Sequence, residues 1–309
     1  MTEGPHCAGA PVRGVGAVWS DTMRRAILLG AALLCAVPGE VRAASLSGIV
    51  PGHPGLAVTE AVGDLIDSWL PGVTNLRLGL GPVVAPAYEG SDDYDLRLAP
   101  LVSLRYRNLI EIDNNDVRLN VLGRRGALLQ STRFSAGPTL KVDFGRSAGA
   151  SPDLAGLGDV DTSIEVGAFA SYAAEPWRFR LRLRQDVANG HGGLLADADV
   201  GRIVYRRPGS SVAARLSTTW ASGGYMRSLF GVDDRQAVAS GLPAFAAGAG
   251  MKDVSVSAAG EFTLVPRLAI VLHAGVQHLL GDARRSPIVR LRGSAVQFNA
   301  GLYVTYSFD

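Results

Sequence analysis

The chain has 309 residues, of which 47% are apolar and only 19% charged, with 30 basic side chains against 28 acidic ones. Soluble domains carry about 25% charge; the apolar content excludes a disordered chain, and the near balance of charge excludes a polybasic nucleic-acid binder. Outside the N-terminal region no run approaches the roughly 18 to 20 consecutive apolar residues that a spanning helix needs, so the apolar residues must be distributed by alternation.

In chain order, the first 22 residues show no periodicity, and Met23-Arg24-Arg25 then opens an apolar run from Ala26 to Val37. A basic start, an apolar centre and the small-residue ending Val41-Arg42-Ala43-Ala44 read as an export signal cut after Ala43 or Ala44, with translation starting at Met23. Cys7 and Cys35 both lie upstream of that cut, so the mature chain is expected to hold no thiol, disulfide or thiolate metal site. Leu34 stands before Cys35 where lipid attachment wants a small residue. In the following segment, 45–74, Val58, Val62, Leu65, Ile66 and Trp69 fall at helical spacing, which fits either an amphipathic helix at the membrane surface or a linker.

From about residue 75 the apolar residues recur every second position. In the last segment Val296, Phe298, Ala300, Leu302, Val304, Tyr306 and Phe308 share one face, while Gln297, Asn299, Gly301, Thr305 and Ser307 share the other. Segments of this kind are long, and tilted membrane strands need about 9 to 11 residues to cross. Aromatics near their ends (Tyr106, Tyr172, Trp177, Trp220, Tyr306, Phe308) suit an interfacial girdle. The expected fold is therefore all-β: a transmembrane antiparallel β-barrel of the bacterial outer membrane, occupying 75–309, with outer-membrane lipid around it. Short connections should be periplasmic and long ones external, which works only if 109–122 makes two short strands joined at Asn114-Asn115. That gives 12 strands, at 75–84, 95–106, 109–113, 116–122, 128–144, 160–174, 177–187, 194–206, 211–221, 251–264, 267–280 and 295–308, with ten as the alternative. The long connections 85–94, 145–159, 188–193, 222–250 and 281–294 are then external loops.

Chemistry-bearing residues are few. Arg178, Arg180, Arg182 and Arg184 line the polar face of one strand, with Asp197 and Asp199 on the next and Glu165 on the preceding one. In a barrel these side chains face the lumen, either as a salt-bridged wall or as an anion-attracting lining. Only His53, His191, His273 and His278 survive processing; Gly190-His191-Gly192-Gly193 reads as a flexible outer loop without a nucleophile, and no metal-ligand spacing is present, so neither enzyme chemistry nor a cofactor is expected. The stretch 223–250, with Tyr225, Leu229, Phe230 and Ala239 to Phe245, is apolar where a solvated loop would be polar, and is expected to fold into the barrel mouth or meet a partner.

Several short motifs also fall in a recognisable order: Tyr88-Glu89-Gly90-Ser91-Asp92-Asp93-Tyr94, Asp153 to Asp159, Tyr225 through Phe230-Gly231-Val232, Ser240-Gly241-Leu242-Pro243, Gly250 to Val254, Leu280 to Ala283 with Ser286-Pro287, and Tyr306-Ser307-Phe308. On these the sequence resembles the MipA/OmpV family of Gram-negative outer-membrane proteins across 75–309, departing from it in Asp309 after the terminal aromatic. The resemblance implies a barrel and a non-enzymatic scaffold that links a lytic murein transglycosylase to a murein synthase. Other members are described as adhesins, which leaves a small-solute channel with an arginine-lined lumen, or an adhesin acting through loops 145–159 and 222–250, as alternatives. No family catalytic residues exist to carry over; Asp92, Tyr94, Tyr225 and Gly241, with the other motif positions, are read as loop-shaping residues. Since periplasmic turns are short, Val58 to Leu70 is the expected contact for a periplasmic partner.

Overall fold

The computed structural model describes residues 73–107, 109–123, 129–130 and 133–308. The expected export signal and the Val58 to Leu70 segment lie outside them.

The strands are β1 (Val73–Pro86), β2 (Tyr94–Tyr106), β3 (Ile110–Asp113), β4 (Asp116–Leu119), β5 (Leu122–Gly123), β6 (Leu129–Gln130), β7 (Phe134–Asp143), β8 (Ser163–Ala174), β9 (Trp177–Asp186), β10 (Leu194–Arg207), β11 (Ser210–Ala221), β12 (Gly250–Val265), β13 (Leu268–Leu279) and β14 (Val296–Phe308). Each long strand pairs antiparallel with its sequence neighbours, β14 returns to β1 (Leu76 opposite Phe308), and β4 pairs with β7 across the short segments, closing the sheet. β5 continues β4 along β7 after a one-residue slip at Asn120–Val121, and β6 only flanks β5, so the closed circuit has twelve strands rather than ten.

The sequence expectation of one strand over 128–144 needs correcting. β7 begins at Phe134, and Leu129–Gln130 pairs in parallel with Leu122–Gly123 instead. The antiparallel partner of β7 on that side ends at Leu122, opposite Ala136, while on the other side Arg133 O still accepts from Ala173 N at 2.7 Å. Gly137 permits the slip, because a Cβ there would lie 1.8 Å from Leu119 O.

The two-residue period sets the faces. Register places Leu76, Leu78, Leu80, Val84, Leu181, Leu183, Val200, Leu216, Val256, Leu272, Phe298 and Leu302 on the outside, where many are widely exposed. A soluble protein would pay heavily to show water so much apolar surface, so this belt marks a lipid-facing wall. Except for Asn114–Asn115, the tip of the short β3–β4 hairpin, the two- to three-residue turns lie at the end where β1 starts and β14 finishes, which is the periplasmic end. The long connections gather at the other end and are partly helical: α1 (Gly223–Phe230), α2 (Asp234–Ser240), α3 (Gly281–Arg285) and α4 (Pro287–Arg292).

Candidate functional site

The external loops form a packed cap. Phe230, Met226, Leu279, Ala283 and Val289 form one buried cluster, and Tyr88, Leu154, Leu157, Val232, Leu242 and Ile288 form a second. Burying one such large side chain contributes about 1.5–3 kcal/mol, which stabilises helices too short to persist alone. Local chemistry sets their ends. Asp233 and Gln236 exchange side-chain to backbone bonds at the start of α2 (2.8 and 2.9 Å), and Gly241 stops it at φ +73. Ser286 caps α4, with Pro287 in its first turn, and its hydroxyl donates to Phe230 O at 2.7 Å.

The motif residues meet in this cap. Tyr88 donates to Arg292 O at 2.8 Å, and burial, with Asp153 nearby, raises its pKa to about 12, so it stays a donor. Gly90 (φ +105) sits against Val289, where a Cβ would lie 2.7 Å from a methyl, and Ser91 is fully buried with its hydroxyl accepting from Asp93 N. Ser240 and Asp153 offer carbonyls to Arg292. Asp92 and Pro243 are exposed, the latter beside buried Leu242, and Tyr94 Oη meets Phe298 N on the wall.

Two charge networks fill the lumen beneath the cap. In the first, Glu165 is fully buried, accepts from Arg184 and contacts His191 Nε2 at 3.0 Å. Gly193 N–H donates to His191 Nδ1 at 3.0 Å, which leaves Nε2 to donate to Glu165. Arg184 also binds Asp197 (2.6 and 3.1 Å), which binds Arg182, and Arg182 reaches across to Asp116. In the second, Lys252 pairs with Glu89 and Asp253, Gln277 Nε2 bridges the same two carboxylates (3.0 and 2.9 Å), and Tyr225 Oη donates to Glu89 at 3.0 Å. Burial, reinforced by Glu89, holds the Tyr225 phenol well above its usual pKa. Charges this deep are tolerated because each is paired.

Toward the periplasm the inner wall divides: Thr139, Arg118, Ala269 and Thr305 are buried, whereas the stretch over β9 and β11–β13 is open. The inward-facing Arg178, Ala213, Arg215, Ala259 and His273 are exposed, in contrast to Glu165, Arg184 and Asp253 above them. The four predicted arginines thus divide. Arg182 and Arg184 are locked into the upper network, Arg178 lies in the open stretch, and Arg180 makes no ion pair among the described residues, its buried Nε lacking a partner there. Asp199 turns to Arg215 at 3.6 Å instead. The periplasmic rim is basic: Arg107, Arg202, Arg206, Arg207 and Arg267 are exposed, Glu175 lying 3.7 Å from Arg206. Arg107, Arg202 and Arg207 stack on Tyr106, Trp177 and Tyr205 at 5.1–5.9 Å.

His191 corrects an expectation. Its glycine-rich loop is not a loose external one: the imidazole is 3% exposed, and a Cβ at Gly190 or Gly193 would strike Ser163 Oγ or Tyr225. These glycines serve close packing rather than mobility. Glu89, Lys252 and Asp116 are the ion-pairing residues whose role sequence reasoning did not assign. Lys252–Asp253, a charged doublet that breaks the alternation at a strand start, was the available signal.

A closed barrel with an apolar outer belt, charged lumen, short turns at one end and a folded cap at the other is a transmembrane β-barrel of the outer-membrane class. The family described as MltA-interacting protein MipA matches residues 78–308, and the chain belongs to it. Among solved structures, the NanC porin is similar at 12% identity, covering 75% of this chain and 98% of that one, with a TM-score of 0.40. The KdgM porin is similar at 10% identity, covering 75% and 99% (TM-score 0.39), and an outer membrane channel from Pseudomonas putida F1 at 14%, covering 77% and 97% (TM-score 0.40). No curated protein matches the sequence.

Proposed function

We propose that the chain is a non-enzymatic, non-conducting outer-membrane anchor that presents its periplasmic side to murein-processing enzymes, a lytic transglycosylase and a murein synthase. The observation that carries this reading is the asymmetry of the lumen: packed and ion-paired under the cap, exposed over β9 and β11–β13 toward the periplasm, and bordered there by arginines. The family description, MltA-interacting protein, supports the choice of partner. The rim and the preceding segment around Val58 to Leu70 are the contact surfaces. Crosslinking in intact cells tests this. Murein enzymes should be recovered with the native chain, and recovery should fall when Arg206, Arg207 and Arg267 become glutamine or when 45–70 is deleted; undiminished recovery in both variants refutes it. Arg180, a lumen cation without an ion pair among the described residues, favours a second reading as an anion-selective pore or binder. A steady anion current in planar bilayers would replace the first reading with the second.

A further inference from the structure

The barrel wall is incomplete on one side. β2 has 13 residues, but its pairing with β3 runs only from Tyr106–Ile110 to Ser103–Asp113. The Asn114–Asn115 turn fastens the hairpin tip to both flanking strands. Asn114 N donates to Val102 O and its Oδ1 accepts from Val102 N, both at 2.8 Å, while Asn115 O accepts from Val142 N at 3.0 Å and its Nδ2 donates to Val142 O at 2.6 Å. Beyond this clasp, β2 from Tyr94 to Leu101 pairs with β1 alone among the described residues, and β7 ends at Asp143.

Both main-chain groups of Val102 turn toward the hairpin. In an antiparallel strand every second residue does the same, so Pro100, Leu98 and Leu96 direct their backbone groups into the gap. Pro100 has no N–H, which removes the first rung that an added strand would need. The remaining edge groups are tolerable only beside a water-lined cavity, and the lumen lies behind them. Leu96 and Leu98 point outward and are 73% and 60% exposed, against 42% for Leu302 on a strand flanked on both sides. Four residues from Tyr94, at the outer end of β2, Leu98 lies about 13 Å along the strand, at the depth of the outer leaflet. On the inner face Ala99 and Leu101 stand opposite Gly81 and Gly79, with Val83 and Gly301 alongside, an apolar strip bounded above by Asp95 and Arg97 and unlike the ion-paired wall across the lumen. Asp95 and Arg97 face inward yet are exposed, as a missing wall beside them requires.

We propose that this notch is a lateral passage between the outer leaflet and the lumen, and that its occupant is a lipid acyl chain lying against Leu98 outside and Ala99 and Leu101 inside. Pro100 argues against a strand from a partner or a second copy in that place. This stands apart from the scaffold reading, since it concerns the lipid side of the wall.

The test places single cysteines, after Cys7→Ser and Cys35→Ser, at Ala99 (inner face at the notch), Leu101 (the next inward position), Ser257 (inner face of the closed wall) and Leu302 (lipid face), each carrying a bimane. The barrels are reconstituted in phosphatidylcholine vesicles containing doxyl-labelled acyl chains, and heat-modifiable gel mobility confirms folding. Quenching at positions 99 and 101 should come within about twofold of that at 302, with position 257 at least about fivefold weaker, because only a breached wall admits lipid to an inward side chain. Quenching at 99 and 101 no greater than at 257 overturns the proposal. Disulfide-linked dimers of a Leu98→Cys variant would assign the edge to a second copy and overturn it as well.

Discussion

Replacing Glu165 by glutamine perturbs the node on which the upper lumen converges. The carboxylate is fully buried and accepts from two donors, Arg184 Nη1 and His191 Nε2. An isosteric amide keeps one acceptor and points its NH2 at the other donor, so one charge-assisted bond is lost and one buried N–H loses its acceptor. Breaking a buried pair costs about 3–5 kcal/mol when the partner is stranded. Arg184 is not stranded, because Asp197 still holds it at 2.6 and 3.1 Å. The expected loss is therefore about 2–3 kcal/mol, near a hundredfold in the folding equilibrium at its upper end. Arg184→Met removes the cation shared by Glu165 and Asp197 and should cost more, about 3–5 kcal/mol, while the double variant should cost less than the sum of the two. Urea unfolding of the reconstituted barrel, followed by the fluorescence of the lipid-facing Trp177 and Trp220, reads all three; at a slope of about 3 kcal/mol per molar the first loss moves the midpoint by nearly 1 M. A Glu165→Gln midpoint within about 0.5 kcal/mol of the native chain, or additive single variants, would refute the view that this network holds the lumen closed.

Other outcomes follow from the same structure. Gly167→Ala sets a methyl 1.8 Å from Leu183 O and should cost about 1–3 kcal/mol or more in the same unfolding assay, whereas Gly192→Ala, with open space around it at φ +64, should cost only about 1–2 kcal/mol of backbone strain. Ser286→Ala removes the cap of α4 and the bond to Phe230 O, so limited proteolysis should cut the external loops faster while the strands stay protected, with a local loss of about 1–2 kcal/mol. The Gly248 N–H bond, with Arg285 beside it, holds the Asp282 carboxyl below the usual aspartate range. A depressed carboxylate contributes its stability above the unfolded pKa and loses it as pH falls through the folded one. The protection factor of the Gly248 N–H, corrected for intrinsic exchange, should therefore fall only below about pH 4; loss of protection near neutrality would contradict the assignment.

What was legible in the sequence was whatever a two-residue period carries. Val296 to Phe308 and the arginine strand declare their faces outright, and the parity of short and long connections required a strand pair at 109–122 although neither half is long enough to cross. The helices of the cap were not legible, because stretches of five to eight residues have no period of their own and exist through burial of Phe230, Met226 and Ile288 against distant segments. Cross-lumen partners were likewise hidden. Asp197 beside Arg182 follows from adjacent strands, but Arg182 with Asp116 depends on how the circuit closes. Glycine misled in one place: around His191 it signals contact, not freedom.

The seam between the first and last strands passes directly under the external cap. Tyr88, just after β1, donates to Arg292 O, and Ser294, just before β14, donates to Gly90 O at 2.9 Å, although some 200 residues separate the partners. None of these contacts can form in a partly zipped sheet, since the two loops become neighbours only when the chain ends meet. Such sequence-distant contacts are slow to form. Acquired protease resistance of the external loops is therefore a timer for ring closure, distinguishing a completed protein in the membrane from one still held open during insertion.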